Sequence, residues 1–221
     1  MHKNYGSKYI KTMQNSSPKI SIAVPIHHGM KHFQFFFDRL MHSIEIQSFR
    51  DFEIVVTEEG SMPVNTNAAI KKSRGEIVKI LYLDDYLAHK HSLRNIVEAF
   101  DSNTEWLVTG CLHQEYIRGG YEDPHSPHYP EYTTDIHTGN NRLGSPSVLA
   151  LRNNEPLLFD EKLSYFLDCD LYRRYYDKFG APKILNDLNV VIGIHDGQTS
   201  QTMPLDDKLE EFYYMQAKYA N

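Results

Sequence analysis

Short acidic or polar clusters stand wherever an apolar run of this chain stops. Asp84 and Asp85 interrupt "KILYLDDYL", Glu58 and Glu59 end "FEIVVT", and Pro25, Ile26, His27 and His28 end "KISIAV". Carboxylates gathered from such ends form an acidic pocket, and an acidic pocket requires a cation; oxygen donors of this kind suit a hard divalent ion. Farther along, "LDCDL" carries Asp168 and Asp170 at the start of a helical pattern, where Asp168 is also well suited to cap the helix. His195 directly follows the apolar run "NVVIGI". A histidine there is either a packing residue or a ligand, since neutral imidazole binds manganese and similar ions. The twelve histidines as a set are scattered and include no H-E-x-x-H, so they make no metal site by themselves. Cys111 and Cys169 form no C-x-x-C pattern and read as two reduced, structural thiols.

The elements that must position these groups follow from periodicity. "KISIAVPI" predicts a buried strand closed by Pro25, which has no N–H to offer a ladder. Phe33, Phe36, Phe37, Leu40, Met41 and Ile44 recur at helical spacing. "DFEIVVTEEGS" predicts a second strand, and "NTNAAIKKSRG" a short helix closed by Gly75 as a left-handed cap. "EIVKILYLDDYL" predicts a third strand, Ser92 an N-cap before a helix with Leu93, Ile96, Val97 and Phe100, and "EWLVTGCL" a fourth strand. Strand and helix alternate, which argues for a doubly wound, mostly parallel α/β sheet flanked by helices.

Residues 113–146 are rich in Gly, Pro, Tyr and His without periodicity, and predict a long irregular loop. Beyond it come a strand at "SVLALRN", a helix within "FDEKLSYFLDCDLYRRYYDKFG" stopped by Gly180, a strand at "LNVVIGI" and a C-terminal helix. The expected organisation is a polar tail over 1–17 and a single domain over 18–221, since 221 residues suffice for one sizeable core. The formal net charge of -6 and 41% hydrophobic residues are ordinary for a globular chain, and no basic stripe points to nucleic acid. No apolar stretch approaches bilayer length, and the first residues lack the apolar core of a secretory signal, so a cytoplasmic location is expected.

Taken in order, "ISIAVPI", Ser43-Ile44, Gln47-Ser48-Phe49, "FEIVVTEEGS", Asn67, Gly75-Glu76-Ile77-Val78 and the aspartate pair resemble the N-terminal half of glycosyltransferase family 2. The resemblance continues through "GSPSVLALRN", "FDEKLSYFLDCD" and "IGIHDGQTSQ", and so covers roughly residues 18–202. It implies a GT-A fold, a nucleoside-diphosphate sugar as donor, a glycan or other hydroxyl compound as acceptor, and inverting transfer assisted by a divalent metal, Mn2+ or Mg2+. The family's Asp-x-Asp motif falls on Tyr82-Leu83-Asp84, so the resemblance gives Asp84 to the metal, leaves Asp85 as an auxiliary and puts Tyr82 in place of one acid. Glu58 and Glu59 stand where the family mostly has aspartates against base and ribose.

By the same resemblance the nucleotide-sugar side comprises Pro25, Ile26, Glu58, Asn67, Asp84 and Asp85, and the acceptor side Gly144, Ser145 and Ser147. Asp168 is implied as the general base, with Asp170 as competitor, and His195 as a second metal ligand beside Asp84. The loop aromatics Tyr116, Tyr121, His125, His128, Tyr129 and Tyr132 are candidates either to stack on sugar faces or to pack on one another. A catalytically silent GT-A-like module, favoured by the departures at Tyr82, Glu58, Glu59 and Leu167, and a nucleotidyltransferase on a related sheet are the alternatives. The lack of a membrane span leaves a soluble acceptor and a transient membrane visit both open.

Overall fold

The computed structural model describes residues 17–117 and 120–220, with the side chains of 117, 120 and 121 excepted. Of the expected tail, residues 1–16 lie outside this range. The chain forms strands β1 (Ile20–Pro25), β2 (Phe52–Thr57), β3 (Ile77–Ile80), β4 (Tyr86–Leu87), β5 (Trp106–Ile117), β6 (Gly120–Tyr121), β7 (His125–His128), β8 (Leu149–Arg152) and β9 (Lys183–Ile194). Helices α1 (Phe33–Glu45), α2 (Met62–Lys72), α3 (Ser92–Ala99), α4 (Leu167–Phe179), α5 (Thr199–Thr202) and α6 (Leu205–Lys218) alternate with or follow them.

One sheet of order β2-β1-β3-β8-β5-β9-β4 runs through the molecule, with β6 and β7 paired onto β5. Strands β2, β1 and β3 are mutually parallel, β8 runs against both β3 and β5, β9 runs with β5, and β4 runs against β9. The mostly parallel α/β sheet expected from alternation is therefore present. All six residues of β1 are buried, as its unbroken apolar run requires for a strand with neighbours on both sides. Helix α1 sinks Phe36, Phe37, Leu40, Met41 and Ile44 into the same core, which the 3.6-residue spacing of these positions allows. Truncating one such residue, Leu40→Ala for example, costs about 2–5 kcal/mol.

Local expectations fail where another group claims the same atoms. Gly75 is not the left-handed cap of α2: that helix ends at Ser73 in extended geometry. Gly75 is instead pressed on β1, where a Cβ would lie 2.6 Å from the Ser21 nitrogen. Ser92 is the first helical residue of α3, after N-cap His91, and its Oγ accepts the His89 N–H at 3.2 Å. The expected third strand breaks at Ile80 and resumes as the two-residue β4, which leaves Asp84 and Asp85 in the turn between. The segment 113–146 is less irregular than expected: β5 continues through Ile117, β7 pairs back on it, and a short 3-10 helix spans Ile136–Thr138. Gly180 does stop α4, with φ of 79° and its N–H on the Tyr176 carbonyl. Among the described residues no helix is long and apolar enough to cross a membrane.

Candidate active site

A cavity of about 970 Å³ opens at the carboxyl ends of β1, β2 and β3. Its walls come from the loop after β1 (Pro25, Ile26, His27), the turn after β2 (Glu58–Ser61), the turn before β4 (Tyr82–Asp85), the segment leading into α4 (Ser164–Asp168) and the stretch after β9 (His195, Gly197, Gln198). Parallel strands of an open sheet direct their carboxyl ends to one edge, which is why three acidic or polar strand ends from distant positions share one space.

The Asp84-Asp85 turn is held from several sides. Asp85 N–H bonds the Tyr82 carbonyl at 3.0 Å, and the Tyr82 N–H bonds Ser147 Oγ at 2.9 Å. The guanidinium of Arg39, stacked 4.5 Å over the Tyr86 ring, donates to the Asp84 carbonyl at 2.5 Å. Asp85, only 3% exposed, accepts the Gly193 N–H at 2.9 Å. Burial, reinforced by the neighbouring Asp84 charge, pushes its carboxyl well above the usual range. The two aspartates are thus separated: Asp85 ties the turn to β9, and Asp84 keeps its carboxylate at the cavity. Beneath them Lys79, fully buried, donates to the Ser147 and Leu149 carbonyls, and burial pulls its ammonium down to about 7.

His195 and Gln198 meet Asp84. Both His195 Nε2, at 3.2 Å, and Gln198 Nε2, at 3.1 Å, lie on Asp84 Oδ2. The Gly197 N–H donates to His195 Nδ1 at 3.1 Å, so the ring proton belongs on Nε2 and is donated to Asp84. Binding a cation through Nε2 requires that proton to move to Nδ1 and the Gly197 N–H to swing aside. Asp84 as placed fits a metal; His195 fits one only with the 196–198 turn rearranged. Among the described residues no group of three or more His, Cys, Asp or Glu side chains is gathered to hold an ion.

On the second wall Glu58 accepts the His28 N–H at 3.1 Å and pairs with its Nδ1 at 2.5 Å; the His28 side-chain bond holds the carboxyl below its usual value. Glu59 pairs with Lys72. Asn65, absent from the sequence-based set, joins the two loops: its amide donates to the Ile26 carbonyl at 2.9 Å and its oxygen accepts the Glu59 N–H at 3.0 Å. Asn67, by contrast, does not line the cavity. It is 2% exposed and clamps Phe159 through both backbone groups. Two residues along a helix is a turn of about 200°, which puts these asparagines on opposite faces.

Asp168 sits in the first turn of α4, one residue past the start, with Phe166 as N-cap. One oxygen accepts the Cys169 N–H at 2.7 Å and the other the Asn141 amide at 2.8 Å. Burial lifts its carboxyl to about 6 against the pull of those two donors. Asp170 faces away: it is fully buried in bonds to Arg174, Lys218 and Tyr219 and takes no part in the cavity wall. Of the expected acceptor side, Ser145 lines the cavity and its buried Oγ has no hydrogen-bond partner among the described residues. Gly144, at φ of 113°, shapes the turn held by Asn141, and Ser147 lies buried beneath the Asp84 turn; neither reaches the cavity. The aromatic rings of the described wall are Tyr82, Tyr165 and Phe166; of the loop set, Tyr132 stacks on Tyr176 at 4.2 Å, Tyr116 packs on His32 at 4.8 Å, and Tyr121 lies outside the described side chains.

No protein-family model and no curated protein sequence matches the chain. Solved structures do. TarS 1-349 of S. aureus in complex with UDP-GlcNAc is 18% identical over 90% of this chain and 64% of that one, with a TM-score of 0.62; its complex with UDP gives 0.59. The mannosyltransferase PcManGT of Pyrobaculum calidifontis, in complex with GDP-Man and Mn2+, is 13% identical over 92% of this chain and 64% of that one, with a TM-score of 0.58. The chain thus has the GT-A-type glycosyltransferase fold, and spans less than two thirds of the length of these neighbours.

Proposed function

We propose that this chain transfers a sugar, with inversion, from a nucleoside diphosphate to an acceptor hydroxyl, with Asp168 as general base. The observation that carries the reading is a partly buried carboxyl lifted to about 6, on the wall of the cavity into which Asp84 projects. At neutral pH such a group is ionised yet a stronger base than an ordinary carboxylate, as proton removal from an attacking hydroxyl requires. Its fixed oxygens, one on the Cys169 N–H and one on Asn141, keep the lone pairs from wandering.

The donor belongs on the side of Pro25, Ile26, Glu58 and the Asp84 turn, and the acceptor beside Ser145, Tyr165 and Phe166. Ser145 lines the cavity with a buried Oγ that has no hydrogen-bond partner among the described residues, which supports an acceptor contact there once the wall adjusts. Attack from the acceptor side displaces the diphosphate from the anomeric carbon and inverts it, through a transition state of oxocarbenium character. A divalent cation, Mn2+ or Mg2+, held at Asp84, with His195 joining after its Nδ1 is released, would neutralise the departing diphosphate. Tyr82 stands where a second carboxylate is expected, and its hydroxyl takes a bond from Thr66 Oγ1 at 3.3 Å, so the ribose meets a phenol and not an anion.

Calorimetric titration with UDP and with GDP, each with Mn2+ and with chelator, tests the donor side. A metal-linked affinity for one diphosphate is expected; equal affinity with and without chelator removes the metal, and no binding of either leaves a silent module. Release of UDP from UDP-GlcNAc or of GDP from GDP-mannose tests the base: Asp168→Asn is expected to bind donor normally and to lose turnover by about 100-fold or more. Normal turnover in that variant puts the base elsewhere.

A further inference from the structure

Helix α6 lends no residue to the cavity wall, yet one of its side chains holds that wall. Glu211 Oε1 accepts the Ser164 N–H at 2.8 Å, and Oε2 accepts the Tyr165 and Phe166 N–H groups at 2.8 and 3.1 Å. These three consecutive residues line the cavity and lead straight into Leu167 and Asp168. N-cap Phe166 has no side-chain cap of its own, and a carboxylate from another helix adds its negative charge to those of Asp168 and Asp170 at this helix start.

The rest of α6 docks by directional bonds more than by area. Met215 is its one buried residue, while Tyr214 and Lys218 bond Asp160 at 2.8 and 2.7 Å, and Lys218 also pairs with Asp170 at 2.6 Å. Directional contacts fix a position to within a few tenths of an ångström in a way a smooth apolar face does not. The Glu211 set reaches the backbone of the wall of the site, which Lys208 also touches, at the Ser200 carbonyl at 2.9 Å and over the Tyr165 ring at 4.7 Å.

We infer that Glu211 is a positioning residue: by holding the backbone of 164–166 it sets the acceptor wall and the start of the helix that carries Asp168. The role in transfer rests on the glycosyltransferase reading above. Three N–H groups converging on one carboxylate also order a segment that would otherwise leave its donors to water, and charged acceptors make such bonds the stronger kind.

Glu211→Gln keeps the size and shape but turns one oxygen into an NH2 that faces the same donors. Hydrogen exchange on the full chain is expected to show the amides of Ser164, Tyr165 and Phe166 exchanging about tenfold faster or more, with β1 and β3 amides unchanged. Leu209→Ala, on the exposed face of α6, is expected to leave all of them as in the wild type. Unchanged exchange at 164–166, or an equal rise across β1 and β3, overturns the inference. With UDP-GlcNAc or GDP-mannose, whichever the wild type turns over, kcat is expected to fall about tenfold while donor KM stays within about twofold. A parallel loss in donor affinity overturns it as well. Should the wild type turn over neither donor, the function proposed above fails, and the exchange measurement still decides whether Glu211 fixes the wall.

Discussion

Asp168 allows a stability measurement to test a catalytic assignment. Its carboxyl is lifted by burial from an ordinary 3.8 to about 6, so the folded chain holds that proton more tightly than the unfolded chain does. Between these values the native state binds more protons, and this group's contribution to stability falls as pH rises: it is favourable below about 4 and lost by the time pH passes 6. At about 1.4 kcal/mol per pH unit the cost of keeping Asp168 ionised and folded at pH 8 is up to about 3 kcal/mol. Asp168→Asn removes the titration. It also sets an NH2 against the Asn141 amide, whose oxygen is already committed to the Leu143 and Gly144 N–H groups at 2.9 and 3.1 Å. That conflict costs about 1–2 kcal/mol but does not change with pH. The difference in unfolding free energy between variant and wild type is therefore expected to move in favour of the variant by up to about 3 kcal/mol from pH 4 to pH 8. In a chain of this size that is a relative shift in Tm of roughly 6–12 °C. Urea unfolding followed by tryptophan fluorescence, at each pH for both proteins, measures it. A difference that stays flat across this range refutes the reasoning: the carboxyl is then not held in a costly environment, and the case for Asp168 as a tuned base goes with it.

Asp84→Asn is expected to abolish the part of the UDP or GDP affinity that depends on Mn2+, as read by calorimetry with and without chelator. Asp170→Asn does the opposite. Uncoupling a fully buried carboxylate from Arg174 and Lys218 is expected to cost about 3–5 kcal/mol in denaturant unfolding, with near-normal turnover well below the melting point. Loss of turnover with intact stability in that variant would exchange the roles of the two aspartates. Gly193→Ala places a methyl 2.1 Å from the Asp84 carbonyl oxygen, so the turn must move. About 1–3 kcal/mol of destabilisation and at least a tenfold weaker diphosphate affinity are expected, and an alanine variant that binds as well as wild type rejects the placement of that turn.

The parts of this molecule that could be read from sequence are those governed by short-range periodicity. Strands β1, β2 and β9 and helices α1 and α4 announce themselves through spacing, whereas the distinction between Asp84 and Asp85 rests on the family resemblance. What escaped depends on contacts between residues far apart in the chain. Asn141 at Asp168, Gln198 at Asp84 and Asn65 between two loops are ordinary polar residues in aperiodic segments, with nothing local to mark them. Gly75 carries the signature of a helix end, but the distant Ser21 claims its backbone first; Ser92 differs in being taken by a local bond, its hydroxyl accepting the His89 N–H. The aromatic loop left two readings open for a related reason. Tyrosine has the same flat face for a sugar as for Tyr176, and only the fold decides which it meets.

The close passage of Gly193 against the Asp84 carbonyl also carries a message about time. The loops proposed for the donor occupy the first 85 residues, but the Asp84 turn is held by Gly193, His195 and Gln198, and Asp168 comes late as well. During synthesis the early strands leave the ribosome while the strand that fastens their acidic turn is still unmade. The contacts that close the cavity join positions more than a hundred residues apart, the kind of pairing that forms slowly. A nascent or truncated chain can thus hold the acidic strand ends without the site, and the cavity is complete only when β9 has taken its place in the sheet.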